Sequence, residues 1–435
     1  MKKSIVALLV LLALVVLVSP GIVGHLAERS VNRQADWAVD ENRELEITSE
    51  GFERGWFASA GQHRVTFAGT PAGQALRGQL GFAPGEDPAL IIDTELDHGL
   101  VPVASLKRES GSLTPGLGQA VSRLSYEAPD GTVTPLPGVV RTRIGLTGAL
   151  SSHYTADEGA ADALRWGAAD LKVDSDAASR RLAVDGTLAS LTIGATSRDG
   201  GDGALALEGL AVAGDMTKTP YDFYIGDLEL SIDTVTNTAG ADPLRFGPFR
   251  LTSESALEDE AVASRFAMNL RFDDLPDVGD VAWQLRGRLG GLDAAALGRL
   301  LDQLEELRDS TDAALVFAAV EGDLKALVAH GLSADIEQFD ITLPQGTLAA
   351  DLEVDVAESE LADFVWTAPL LGSAAKANVA IPVPLFDYIV TRNPEARTLV
   401  ALGFLVPEGD EYTLTAEYRQ GLLTVNGAPM PIPIY

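Results

Sequence analysis

The chain has 435 residues, 46% of them hydrophobic, with 32 Lys and Arg against 63 Asp and Glu and a formal charge of -31. That length and apolar content suffice for two or three packed units and exclude a disordered chain, while the negative field repels phosphate backbones and makes nucleic acid a poor partner. No cysteine occurs, so disulfides, thiolate catalysis and Cys-ligated zinc or iron–sulfur sites are excluded.

Lys2 and Lys3 precede an apolar run that is unbroken from Ile5 to Val18 and continues past Ser19, Pro20 and Gly21 to Val23. At about 1.5 Å per residue, Ser4 to Val23 reaches across the roughly 30 Å hydrocarbon layer, so residues 1–24 predict a transmembrane signal anchor. The leading lysines, and the balance of Glu28 and Glu41 with Arg29 and Arg33, predict a cytoplasmic N-terminus with the rest of the chain outside. A cleaved secretory signal leaving a soluble body is the alternative. Residues 25–44 lack Gly and Pro and carry Leu26, Val31 and Trp37 at loose helical spacing, which predicts a membrane-proximal helix.

The block "GFERGWFASAGQHRVTF" at 51–67 follows. Phe57, Ser59, Gly61, His63, Val65 and Phe67 share one face of an expected opening strand, and Gly55, Trp56 and Phe57 form the turn that enters it. Beyond it, period-2 alternation is clean. Tyr224, Leu228, Leu230 and Ile232 oppose Asp227, Glu229 and Ser231; Phe266, Met268, Leu270 and Phe272 oppose Asn269, Arg271 and Asp273. Trp283, Leu285 and Leu289 oppose Gln284, Arg286 and Arg288; Leu348, Leu352, Val354 and Val356 oppose Asp351, Glu353 and Asp355; Tyr412, Leu414 and Tyr418 oppose Thr413, Thr415 and Glu417. Strands apolar on one face and charged on the other predict antiparallel sheets with one solvated side and argue against a Rossmann or barrel enzyme. Turns are expected at "VDG" 184–186, "RDGGDG" 198–203, "TNTAGADP" 236–243 and "VNG" 425–427.

Asp293 is placed to cap a helix whose Leu297, Leu300, Leu301, Leu304 and Leu307 form a stripe. A second helical run from Thr311 stops at Gly331, and a third near Pro384 to Leu405 is broken by Pro394. The expected fold is therefore α+β and β-rich: a transmembrane helix, then extended antiparallel sheet with a helical hairpin, about 292–330, packed on the second half. A β-rich region over 45–240 and a second over 241–435 are expected, with one continuous sheet through both as the alternative to two separate ones.

Motifs for nucleophilic, phosphate-binding or zinc-hydrolase chemistry are missing. His25, His63, His98, His153 and His330 have no pair at metal-ligand spacing. Asp273, Asp274, Asp277 and Asp280, and Asp199 with Asp202, offer oxygen ligands that Ca²⁺ accepts, but tight turns demand the same residues. No cofactor or metal is expected. A run of one-sided strands makes an apolar face that two helices cover only in part; a second sheet or a bound apolar ligand must bury the rest.

The order of landmarks resembles the YdgA-like family of bacterial envelope proteins, a domain of unknown function. "FERGWFASAGQHRVTF", "DTELDHGLVP" at 93–102, "YDFYIGDLELSID" at 221–233 and "GFLVPEGDEYTLTAEYRQGLLTVNGAPMP" at 403–431 carry the likeness, most specifically Gly55, Trp56, Phe57 and the terminal "GLLTVNG" with Asn426 and Gly427. His98 and Gly99 look like the family's His-Gly-Pro, departing at Leu100. The resemblance implies a single-pass inner-membrane protein with a β-rich periplasmic body and no established enzymatic activity. A fold-level likeness to AsmA-type proteins, tethered β-troughs associated with phospholipid traffic, is weaker. Three functions are expected in order: a non-enzymatic binding or scaffolding role in the envelope, with a lipid or envelope protein as partner; lipid or fatty-acyl transfer along an apolar groove; and an extracytoplasmic hydrolase using acidic residues.

Overall fold

The structure, a computed structural model of the chain, describes residues 45–54, 58–70, 85, 87–98, 118–145, 147–161, 164–196, 202–238, 244–307, 313–361 and 372–430, with single positions at 73, 74, 77, 364, 366 and 369. The expected transmembrane and membrane-proximal helices lie outside the described residues, as do Gly55, Trp56, Phe57 and Gly99. Among the described residues no helix is long and apolar enough to cross a membrane. The chain divides into two compact units, Met1–Thr217 with Thr236–Ala241, and Lys218–Val235 with Asp242–Tyr435.

The first unit carries β1 (Leu45–Arg54), β2 (Ala58–Phe67), β3 (Ala89–His98), β4 (Gly118–Glu127), β5 (Val133–Pro135), β6 (Val139–Ile144), β7 (Leu150–Ala156), β8 (Gly159–Ala161), β9 (Leu164–Trp166), β10 (Ala169–Ser175), β11 (Arg181–Thr196) and β12 (Asp202–Lys218). They pair antiparallel in the order β1-β2-β3-β4-β6-β7-β10-β11-β12. The sheet thus opens one strand earlier than the aromatic block suggested: Leu45 and Ile47 alternate with Glu46 and Thr48 and pair with Phe67 and Val65. The expected turn at Val184–Gly186 is also wrong, because all three residues lie inside β11. Gly186 meets a different need, since a Cβ there would sit 2.4 Å from Leu171 Cδ1 on the neighbouring strand.

One face of this sheet is closed. Leu96, Leu124, Val140 and Ile144 are each 1% exposed. Polar side chains on that face bond to one another, Thr94 to Ser122 at 2.8 Å and Thr142 to Ser152 at 3.0 Å, which satisfies their hydroxyls without water. Tyr154 donates to the Pro137 carbonyl at 2.8 Å, and burial pushes its phenol up to about 12.

The second unit is a meander with helical interruptions. Its elements are β13 (Tyr224–Ile232), β14 (Thr234–Asn237), β15 (Leu244–Glu258), β16 (Ala261–Leu275), β17 (Gly279–Asp293), helices α1 (Ala294–Glu306) and α2 (Ala313–Ala329), β18 (Leu332–Leu343), β19 (Gly346–Val356), β20 (Ala374–Pro382), α3 (Val383–Arg392), α4 (Arg397–Ala401), β21 (Val406–Glu408), β22 (Glu411–Arg419), β23 (Leu422–Val425) and β24 (Ala428–Met430). The antiparallel order is β13-β15-β16-β17-β18-β19-β20-β22-β23-β24.

The helix boundaries follow from their ends. Asp293 Oδ1 accepts from the Ala296 N–H at 2.6 Å and caps α1. Gly331, at φ +81°, stops the chain after α2. Pro394 separates α3 from α4, and Asn393 Oδ1 accepts from the Glu395 N–H across the break at 3.3 Å. The observed architecture is α+β and dominated by antiparallel sheet.

Candidate functional site

The apolar alternation of the second unit makes one face of its sheet. Cross-strand pairs carry it from strand to strand: Leu230 with Leu251, Leu251 with Met268, Met268 with Leu285, and Leu285 with Phe339. Beyond Phe339 the row continues through Ala350 and Val379 to Leu414.

Three β-bulges keep that face continuous where the sequence alone would break it. Ile336 and Phe339 are three residues apart, an odd spacing that sends side chains to opposite faces of a regular strand. The register shifts at this point against both neighbours, so that Ile336 pairs with Gly287 and Leu352 while Phe339 pairs with Leu285 and Ala350. The extra residue returns both side chains to one side. The same device recurs at Phe246 and Phe249, around Gly247 at φ +129°, and at Leu289 and Leu292, around Gly291 at φ +73°.

Helices cover this face at its two ends. At the β16–β17 turn end, α3 packs Leu385 and Phe386 with Ile381, Leu405 and the apolar side chains of Leu343, Leu348, Val379 and Leu414. The Phe386 and Tyr412 rings lie 4.4 Å apart there. Tyr388 Oη and the Arg392 guanidinium both donate to the Asp277 carbonyl and tie α3 to the turn. At the opposite end of β17, α1 and α2 bury Ala296, Leu300, Val320 and Leu327 with Leu292 beside them. Arg299 Nε and Gln303 Nε2 on α1 donate to the two oxygens of Asp323 on α2, at 2.7 and 2.9 Å, and lock the hairpin.

Between these ends the face stays partly open. Phe266, Met268, Leu270, Leu285, Ile336, Phe339 and Leu352 are all only half-buried. Trp283 and Leu289 are 36% and 38% exposed. Fully burying a side chain of this size is worth about 1.5–3 kcal/mol, so a row of half-buried ones leaves a large apolar surface in water that a ligand or partner would gain by covering. The result is a shallow apolar trough along the middle of β16–β19, closed at each end by helix.

The other face is solvated and held by ion pairs. Arg271 reaches Asp273 at 2.9 Å and Asp280 at 2.8 Å, and Arg288 reaches Asp335 at 2.6 Å. Exposed pairs of this kind, screened by water, add little to stability. Asp280 also accepts from the Asp274 N–H at 3.1 Å, and Asp274 and Asp277 take positive φ, so the acidic cluster forms the β16–β17 turn. No three His, Asp or Glu side chains are grouped to hold a metal among the described residues. His153 Nε2 lies 2.9 Å from Asp170, and burial lowers the pKa of His63. The carboxylates of Glu127, Asp215 and Glu321 are lowered by hydrogen bonds from Arg64, Arg181 and Lys325 respectively. A glycosidase-type acid needs the opposite, a carboxyl held up by an apolar site.

Of the residues that sequence reading singled out, Asn426 and Gly427 form the β23–β24 turn at φ +50° and +76°. Asn426 Oδ1 accepts from the Thr415 N–H at 2.8 Å, and Nδ2 donates to the carbonyls of Gly403 and Phe404 at 2.9 and 3.1 Å. The terminal hairpin therefore pins the loop after α4. His98 ends β3 opposite Gly118. The trough brings together Phe266, Met268, Leu270, Trp283, Leu285 and Leu352, whose alternation sequence reading found. It adds Ile336 and Phe339, and the same face takes in Phe246 and Phe249 of β15, all of which strict alternation misses and for which the signal is an apolar pair three apart flanking glycine or polar residues.

No curated protein and no solved structure matches the chain. A family of bacterial proteins of unknown function, DUF945, matches residues 1–433, and the chain belongs to that family.

Proposed function

We propose that the second unit binds the acyl chain of a lipid along its half-open apolar trough, and that the protein acts in the bacterial cell envelope without covalent catalysis. Among the expected roles, binding and scaffolding stood first and lipid transfer second; the trough favours lipid. The observation that carries the reading is the unbroken apolar face from Leu251 to Leu352, half-exposed in its middle and closed by helix at both ends. From Trp283 to Leu289 the strand rises about 20 Å, long enough for an extended acyl chain. Each buried methylene contributes about 0.8 kcal/mol, so a chain laid along this stretch gains several kcal/mol before ordering costs. A protein of the YdgA-like kind, anchored by residues 1–24 with its body in the periplasm, sits beside a source of such chains.

Native mass spectrometry of the full chain and of Leu285→Glu, both purified in the same mild detergent, tests this. Retained lipid in the wild type that is lost in the variant, at unchanged thermal midpoint, supports the trough. Equal lipid content in the two would sink it.

A further inference from the structure

We propose that the outer surface of the α1–α2 hairpin docks on a lipid bilayer of zwitterionic headgroups. This goes beyond acyl binding in the trough and does not depend on it.

α2 opens with eight uncharged residues, Ala313 to Val320, in a chain whose net charge is -31. Charge returns on both sides of this run: Arg308, Asp309 and Asp312 precede it in sequence, and Glu321, Asp323 and Lys325 follow it. Leu315 and Phe317 are 52% and 50% exposed, and Leu301 and Leu304 of α1 are each 42% exposed. At about 100° per residue, the exposed positions 314, 315, 317, 318 and 319 span an arc of roughly 200°. A protein groove engages a stripe about 100° wide, whereas a bilayer surrounds whatever sinks into it.

Aromatic residues mark the border of the uncharged zone. Trp366 is 41% exposed, with its ring 5.3 Å from Phe364 and 6.4 Å from Phe317, and its Nε1 donates to Glu321 Oε1 at 3.4 Å. A tryptophan with an apolar body against Phe317 and its N–H on a charged residue has the polarity of a membrane–water boundary. The charge distribution selects the bilayer type. The uncharged run meets no headgroup repulsion, and the acidic chain gains nothing from anionic lipid. An interfacial helix of this kind sinks about 5–10 Å, with Glu321, bonded to Trp366 at the border, at headgroup level.

The chain has no cysteine, so single-cysteine variants label cleanly. Full-length Phe317→Cys, Leu304→Cys and, on the solvated face of β19, Glu353→Cys carry a nitroxide in phosphatidylcholine proteoliposomes. Collision with oxygen relative to a water-soluble nickel chelate is then read by electron paramagnetic resonance. The expected result is an oxygen-to-nickel ratio several-fold higher at 317 and 304 than at 353. A ratio at both positions no higher than at 353 overturns the proposal. So does an immobilised label that excludes both reagents, which identifies a protein surface or a second copy as the occupant. These readouts are indifferent to lipid in the trough, so the two proposals fail separately.

Discussion

Trp283 and Phe339 meet edge to face, with ring centroids 6.1 Å apart and planes at 89°, in the middle of the second unit's apolar sheet face. One ring comes from the strand that leads into the helical hairpin and the other from the strand that follows it. Trp283 stays more than a third exposed, so the pair is a contact made on an open surface.

Phe339 reaches that surface only because of the bulge at Glu337 and Gln338. Deleting Glu337 removes the extra residue and leaves Ile336 and Phe339 two residues apart, the even spacing that keeps both on one face of a regular strand without a bulge. The deletion should therefore cost clearly less, by urea denaturation, than Phe339→Ala, for which about 3–5 kcal/mol is expected at a fully buried site and less at this half-buried one. Glu337→Gln keeps the residue count and should leave the midpoint unchanged.

Gly287 lies on the same face, and a Cβ there would come 2.8 Å from Phe266 Cζ and 2.8 Å from the Asp335 carbonyl oxygen. The ring can rotate away, but the backbone oxygen cannot without widening the β17–β18 spacing. Gly287→Ala should therefore destabilise by about 1–3 kcal/mol. Gly322→Ala, where nothing lies within 4 Å, should not destabilise in the same thermal assay.

Asn426 serves two needs at once, a positive φ and three side-chain hydrogen bonds. Asn426→Gly keeps the first and loses the second, which predicts a loss of about 1–2 kcal/mol. Asn426→Ala loses both and should cost more, by roughly another 1 kcal/mol of backbone strain. The order Asn, Gly, Ala in thermal midpoint is the check.

Burial lowers the pKa of His63 from its ordinary 6.5. Above that value both folded and unfolded chains hold it neutral, and it contributes nothing. As pH falls below it the unfolded chain takes up a proton that the folded state resists, so stability falls. The urea midpoint of the wild type should drop between about pH 7.5 and about pH 5.5, and His63→Gln should flatten that drop. Glu127, lowered by Arg64, acts in a separate window: its stabilisation is present above its ordinary 4.5 and is lost only as pH falls through its folded value.

Much of the second unit was legible because one-sided strands write their burial directly into alternate positions, as at Phe266, Met268 and Leu270, and because Asp293, Gly331 and Pro394 mark helix ends by local chemistry. The bulges were not legible. Phe246 with Phe249, and Ile336 with Phe339, look like phase errors until the partner strands fix the register. Gly186 misled for a related reason: glycine in a turn and glycine under a cross-strand Leu171 are the same letter. The trough itself depends on how far α1, α2 and α3 reach over the sheet, which is a tertiary quantity that no local pattern records.

The central claim is tested most directly at Trp283. Its emission is isolated by subtracting the spectrum of full-length Trp283→Phe from that of the wild type, during titration with a fatty acid brominated along its acyl chain. Bromine quenches only at close contact, so an acyl chain in the trough predicts that the difference emission is lost on saturation. A difference emission that persists at saturating brominated acid, with both proteins folded, would contradict acyl binding on this face.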